Sequence, residues 1–283
     1  MPLIGQIQKV YDELPGSERA LADLLLEFPG DITVYSASEL AERANVSNAA
    51  VSRFMKRLEF SDYRAARRAV RAAQAAGQPI YLNNSLIDPP TQGRSLEQQL
   101  EQDVRNLRAT YEAIDGKALA ATVKAIRRAK LVWCLGFRNS YFFAAYLRRQ
   151  LNQSRPGVML LPLPGQILME DLAAAGGKDI ALVVGLRRRS SLTVKAMEFL
   201  RSKEVPIVYV TDHRATKTAR LASWTFHCHT RGVSLFDSYV SVTSLLNYIC
   251  TEVAAEAGDP GRRRLAEIEA GIAFSAEIEA VGQ

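Results

Sequence analysis

Cysteine is scarce in this 283-residue chain: Cys134, Cys228 and Cys250 share no paired spacing and lie within apolar stretches. That excludes a disulfide-built secreted scaffold and fits structural thiols in a reducing compartment. Nowhere does the chain offer about 20 uninterrupted apolar residues, the length a membrane-crossing helix needs. Nor does "MPLIGQIQKVYDELP" set a basic start before an apolar core. Neither secretion nor a membrane partner is expected, and the protein is read as cytoplasmic. Histidine is equally sparse. "FHCH" puts His227 and His229 on one face of a strand with Cys228 opposite, but no third or fourth ligand stands at a suitable spacing. No metal and no cofactor is therefore expected. Internal repeats and low-complexity tracts are missing as well.

What is present divides in two. Hydrophobic residues make up 48% and charged residues 23%, an ordinary balance for a globular chain long enough for about two domains at roughly 150 residues each. Up to Ala76 every periodic stretch is helical, as in "ERALADLLLEF" with Leu21, Leu24, Leu25 and Phe28. Then "GQPIYLNNSLIDPPTQGRS" gathers enough Gly, Pro and Asn to mark a linker, 77–94. Beyond Ser95 two helical stretches precede five short apolar runs, "LVWCLG", "VMLLPL", "DIALVVG", "PIVYVTD" and "WTFHC", separated by helical segments. Parallel strands with crossover helices follow, because parallel neighbours cannot be joined by hairpins. The expected architecture is an all-α N-terminal domain, 1–76, and an α/β domain, 95–283, a three-layer α/β/α sandwich on a five-stranded parallel sheet. A long helix near "FDSYVSVTSLLNYICTEVAAEA" and a last helical tail after "GDPGRRR" complete it.

The formal charge is +6, and its placement carries more information than its size. In "SASELAERANVSNAAVSRFMKRLEF", Ser36 and Glu39 have capping-box spacing, Asn45 ends a short helix, and Ser47 can cap a second helix after a tight turn. On the second helix Val51, Phe54, Met55 and Leu58 face inward. Outward lie Asn48, Ala49, Ser52, Arg53 and Lys56, small and polar near the N-terminal end, as close approach to base edges requires. From Arg53 to Arg71 seven basic residues stand against Glu59 and Asp62, a local net of +5 suited to phosphates. The expected contacts to double-stranded DNA are Ser47, Asn48, Ala49, Ser52, Arg53, Lys56, Arg57 and Arg64.

This region resembles the N-terminal domain of the RpiR-type (MurR-type) bacterial transcriptional regulators, most closely over "ELAERANVSNAAVSRFMKRLEF". The resemblance extends through the chain and implies a C-terminal SIS (sugar isomerase) domain, flavodoxin-like in fold, that senses sugar phosphates and related metabolites. Its first loop matches the family pattern of a glycine, three residues and a serine, with Gly136, Arg138, Asn139 and Ser140. The second departs from the family's serine-rich turn: Arg187, Arg188 and Arg189 precede Ser190, Ser191 and Thr193. Arginine offers a planar bidentate donor at a helix start, so these ten residues form the expected effector site. A sugar phosphate and an organic acid both remain open as effectors. So does a reading of the arginines as a solvated loop, or as a subunit contact pairing with acidic residues such as Glu170 and Asp171.

The expected function is a DNA-binding regulator of catabolic genes, controlled by a small anionic metabolite and built as a homodimer or homotetramer. The alternative is a sugar-phosphate isomerase-type enzyme, for which His213 and Glu170 are the candidate bases.

Overall fold

The computed structural model describes residues 3–75, 95–187, 189–213, 215, 218–233 and 236–275. The expected linker 77–94, Arg188, Ser234 and the end of the helical tail lie outside the described residues.

The first part is helical throughout: α1 (Leu3–Val10), α2 (Gly16–Glu27), α3 (Asp31–Val34), α4 (Ala37–Ala44), α5 (Asn48–Arg57) and α6 (Tyr63–Ala75). Apolar residues at three- and four-residue spacing form one core, with Leu21, Leu25, Leu40, Val51, Phe54 and Met55 almost fully buried. Each such side chain contributes about 1.5–3 kcal/mol by leaving water. The buried Tyr63 hydroxyl donates to the carbonyls of Ile32 and Tyr35, fixing α6 against the turn after α3.

The second part begins with α7 (Leu96–Glu112) and α8 (Gly116–Arg128). Strands and helices then alternate: β1 (Val132–Gly136), α9 (Asn139–Ser154), β2 (Val158–Leu161), α10 (Leu168–Ala173), β3 (Ile180–Gly185), α11 (Ser191–Ser202), β4 (Ile207–Asp212) and β5 (Trp224–Cys228). All neighbours are parallel in the order β2-β1-β3-β4-β5. Successive side chains leave opposite faces of a strand, so the sheet feeds two cores. Val132, Cys134, Leu182, Val184, Val208 and Val210 meet α8, α9 and α12 (Val240–Glu256). Trp133, Leu135, Ala181, Val183, Ile207 and Tyr209 meet α10 and α11. Helices, sheet and helices thus form three layers, with a five-stranded parallel sheet as the sequence pattern predicts.

Two boundaries differ from expectation. The long helix starts at Val240, because Ser238 N–H bonds back to Thr230 O and holds the preceding residues in a loop. "GDPGRRR" is not a break but the opening of α13 (Gly258–Ser275). Gly258 adopts φ +56° to turn the corner, and Pro260 sits in the first turn, where its missing N–H costs nothing.

The three cysteines are free and buried. Burial pushes the Cys228 and Cys250 thiols up to about 12 and raises Cys134 as well. The native protein is therefore expected to leave all three unmodified by a thiol reagent at pH 8, and to react fully once denatured. Rapid labelling of the native chain would contradict this packing. Among the described residues no helix is long and apolar enough to cross a membrane.

Candidate functional site

Helices α4 and α5 are set by their ends. Ser36 accepts from Glu39 N–H while Glu39 accepts from Ser36 N–H at 2.7 Å, a complete capping box. Asn45 closes α4 in the left-handed region at φ +54°, and Ser47 accepts from Ala50 N–H to open α5. The turn between the helices is only Asn45–Val46–Ser47. Val51, Phe54, Met55 and Leu58 are buried, whereas Ser47, Asn48, Ala49, Ser52, Arg53 and Lys56 are exposed along one face.

The basic residues do not all behave alike. Arg57 donates to Glu18 at 2.7 Å, and that carboxylate is only 4% exposed, so Arg57 fastens α5 to α2. Arg53 lies 3.9 Å from the same carboxylate with its side chain 59% exposed. Arg67 and Arg71 donate to the Thr33 carbonyl at the end of α3. Lys56, Arg64 and Arg68 are exposed beside them.

In the second part the strand order reverses between β1 and β3, and in open α/β sheets ligands bind beyond the carboxyl ends at such a point. There β1 ends at Gly136 and β3 at Gly185, in adjacent register. The two following loops are joined: Leu186 N–H donates to Ser140 Oγ at 3.1 Å, with both residues buried. A Cβ on Gly136 would fall 2.2 Å from the Ser140 carbonyl oxygen, so α9 turns over the strand end only because residue 136 is glycine. Gly136→Ala is expected to cost about 1–3 kcal/mol by displacing the first turn of α9, read as a lower denaturation midpoint at unchanged helix content. Arg138 holds φ +56° and ψ −127° at the start of α9, a conformation costly for any side-chain-bearing residue.

The arginines on the second loop divide. Arg187 pairs at 2.7 Å with Asp237 in the loop before α12, and both side chains are largely buried. Arg189 turns into the protein, 1% exposed at its side chain, and pairs with Asp212 at the end of β4 at 2.7 Å. It also donates to Gly185 O, Tyr209 Oη and Thr211 Oγ1. Burial alone would lower its pKa, but Asp212, Tyr209 and Glu27 outweigh it and hold the guanidinium charged. Among the described residues its Nη1 has no hydrogen-bond partner. Ser190 caps α11 by accepting from Leu192 N–H, Ser191 is exposed, and Thr193 is buried beneath them. Among the described residues Arg187 pairs with Asp237 and Arg189 with Asp212.

Two family models match the chain, a helix-turn-helix domain of the rpiR family over residues 1–77 and a SIS domain over residues 125–251. The chain belongs to the RpiR-type helix-turn-helix transcriptional regulators. An uncharacterized HTH-type transcriptional regulator of Thermotoga maritima is 23% identical over 78% of this chain and 79% of its own length. The regulator HexR of Pseudomonas aeruginosa is 20% identical over 74% of the chain and 73% of its own. Among solved structures, the sugar isomerase domain of an RpiR transcription factor from Sphaerobacter thermophilus is 28% identical with a TM-score of 0.59, covering 62% of this chain and 99% of that one. The Vibrio vulnificus NanR protein complexed with ManNAc-6P shares the fold at 17% identity and a TM-score of 0.59, over 95% of this chain and 98% of its own.

In this RpiR-type regulator the pair His227 and His229, foreseen on one strand face, is joined by a third ring that no local pattern announces. His213, at the end of β4, stacks on His227 with ring centroids 5.7 Å apart and tilts against His229 at 3.9 Å. These are all the histidines of the chain. Burial, followed by the neighbouring His229 and His227, lowers the His213 pKa. Among the described residues no group of His, Cys, Asp and Glu is arranged to hold a metal ion. Asp212 and Glu27, the acidic partners around Arg189, were equally invisible, since they lie 23 and 162 residues away in sequence.

Proposed function

We propose that the protein is a sequence-specific regulator of catabolic genes whose SIS domain binds a small anionic metabolite, and whose affinity for double-stranded DNA changes when it does. The observation that carries this reading is the Ser140–Leu186 link, which brings the starts of α9 and α11 to one crevice at the strand-order reversal. Helix N-termini there supply backbone donors and favourable dipoles, and Arg189 Nη1 has hydrogen-bonding capacity to spare. Gly136, Arg138, Asn139, Ser140, Arg187, Arg188, Arg189, Ser190, Ser191 and Thr193 are the proposed effector-site residues. The presence of ManNAc-6P in the similarly folded Vibrio vulnificus NanR favours a sugar phosphate over an organic acid.

In this reading the domain senses its ligand and does not turn it over. The DNA contacts come from Ser47, Asn48, Ala49, Ser52, Arg53, Lys56, Arg57 and Arg64, with Arg57 also acting as a brace for α5. Two copies are needed to meet half-sites one helical turn apart, so a homodimer or homotetramer is the working form in the cytoplasm.

Thermal unfolding in a panel of sugar phosphates, the same sugars without phosphate, and simple organic acids tests this. A ligand at one hundred times its Kd stabilises by about 2.7 kcal/mol, so the sugar phosphates that bind should raise the midpoint while their unphosphorylated counterparts do not. Stabilisation by organic acids alone would replace the sugar-phosphate assignment, and conversion of any member of the panel would restore the enzyme reading.

A further inference from the structure

The helical domain reaches the effector site. Glu27, the last residue of α2, is 1% exposed although its helix belongs to the helical core. Its carboxylate accepts a hydrogen bond from Thr218 Oγ1, in the short helical turn between β4 and β5. It lies close enough to Arg189 to help hold that guanidinium charged. A second contact runs alongside, since Val194 of α11, four residues beyond the N-cap Ser190, packs on the apolar core of the helical domain. The contacts between the domains therefore fall on the first turns of α11, beside the proposed anion site, and on the turn between β4 and β5.

A carboxylate buried against a charged arginine in an anion site has the chemistry of a bound ligand. We propose that Glu27 is a built-in anionic occupant of the effector site, latching the helical domain to the SIS domain, and that an anionic effector competes with it for Arg189. The proposal rests on the effector reading above. It gives the ligand a direct mechanical consequence: when the anion takes up Arg189, the end of α2 loses an electrostatic attraction to the SIS domain. Helix α5 moves with α2, because Arg57 ties α5 to Glu18 on that helix. Differential affinity for the latched and released arrangements is what any ligand needs in order to shift their populations. Occupant and effector share one chemical requirement, a negative charge presented to the Arg189 guanidinium.

The charge can be removed without removing the hydrogen bond. Glu27→Gln keeps an oxygen that accepts from Thr218 but gives up the anion, and Thr218→Val removes the hydroxyl from the other domain. Titration calorimetry with inorganic phosphate and with glucose 6-phosphate, on the full-length wild type and both variants, reads the competition. Glu27→Gln is expected to raise the affinity for these anions roughly 5- to 150-fold, the range of typical allosteric couplings, and Thr218→Val to raise it less. Amide exchange should quicken over 24–28 in the wild type when anion is added. Unchanged affinity in Glu27→Gln, with the wild type binding phosphate, would overturn the latch and leave the effector reading standing. Absence of anion binding in all three proteins would overturn the effector reading and the competition together.

Discussion

Replacing Arg189 with methionine is expected to cost about 3–5 kcal/mol of stability, the usual penalty for removing one member of a buried ion pair. The side chain of Arg189 is 1% exposed and that of Asp212 7%, so neither water nor screening salt can compensate for the loss. The Gly185 carbonyl, the Tyr209 hydroxyl and Thr211 Oγ1 would each lose a donor as well. Chemical denaturation of the single variants Arg189→Met and Asp212→Leu and of the double variant separates the causes. The double variant should be less destabilised than the sum of the two, because the Arg189–Asp212 attraction can be lost only once and neither member of that pair is left behind. Simple additivity would show that the pair contributes little, and that Arg189 is held by its neutral partners alone. Arg187→Met, measured in the same way, should cost less, because the pairing of Arg187 with Asp237 is less deeply buried.

Arg53→Ala should weaken binding to a specific DNA site by about 1–3 kcal/mol per recognition helix, while leaving thermal stability within about 0.5 kcal/mol. The side chain is 59% exposed and its distance to Glu18 is 3.9 Å, so little of the fold depends on it. Lys56→Ala should weaken specific and non-specific DNA alike and reduce the salt dependence by about one unit of slope. Arg57→Ala should behave differently from both, losing stability as well as affinity, because it releases the buried Glu18 carboxylate. Fluorescence anisotropy at several salt concentrations, alongside thermal melts, distinguishes the three patterns. Unaltered binding by Arg53→Ala would move the reading surface off α5.

The helical domain was legible in the sequence because its signals are local. Ser36 with Glu39 and Ser47 with Ala50 lie within one turn of each other, and the buried positions of α5 follow the helical period directly. The parallel sheet was legible for a similar reason, since each apolar strand is separated from the next by a helix. The candidate site was only half legible. Gly136 and Ser140 stand at a spacing the loop itself dictates, but three adjacent arginines look alike in sequence. The fates of Arg187 and Arg189 are decided by Asp237, Asp212 and Glu27, which chain folding delivers from three different parts of the sequence. The grouping of His213 with His227 and His229 depends likewise on the pairing of β4 with β5, which no local pattern encodes. A helix boundary also moved where a glycine and a proline opened α13 rather than ending a helix.

The most direct test of a sequence-specific regulator is selection of sheared genomic DNA from the source organism on the purified full-length protein at moderate salt, followed by sequencing of the retained fragments. A few strong peaks are expected, each holding paired half-sites about 10 base pairs apart, and they should vanish when the Arg53→Ala protein is used. Genes beside those peaks should encode catabolism of a compound whose phosphorylated form stabilises the protein. Uniform retention across the genome, or the same peaks from the Arg53→Ala protein, would contradict a reading surface on α5.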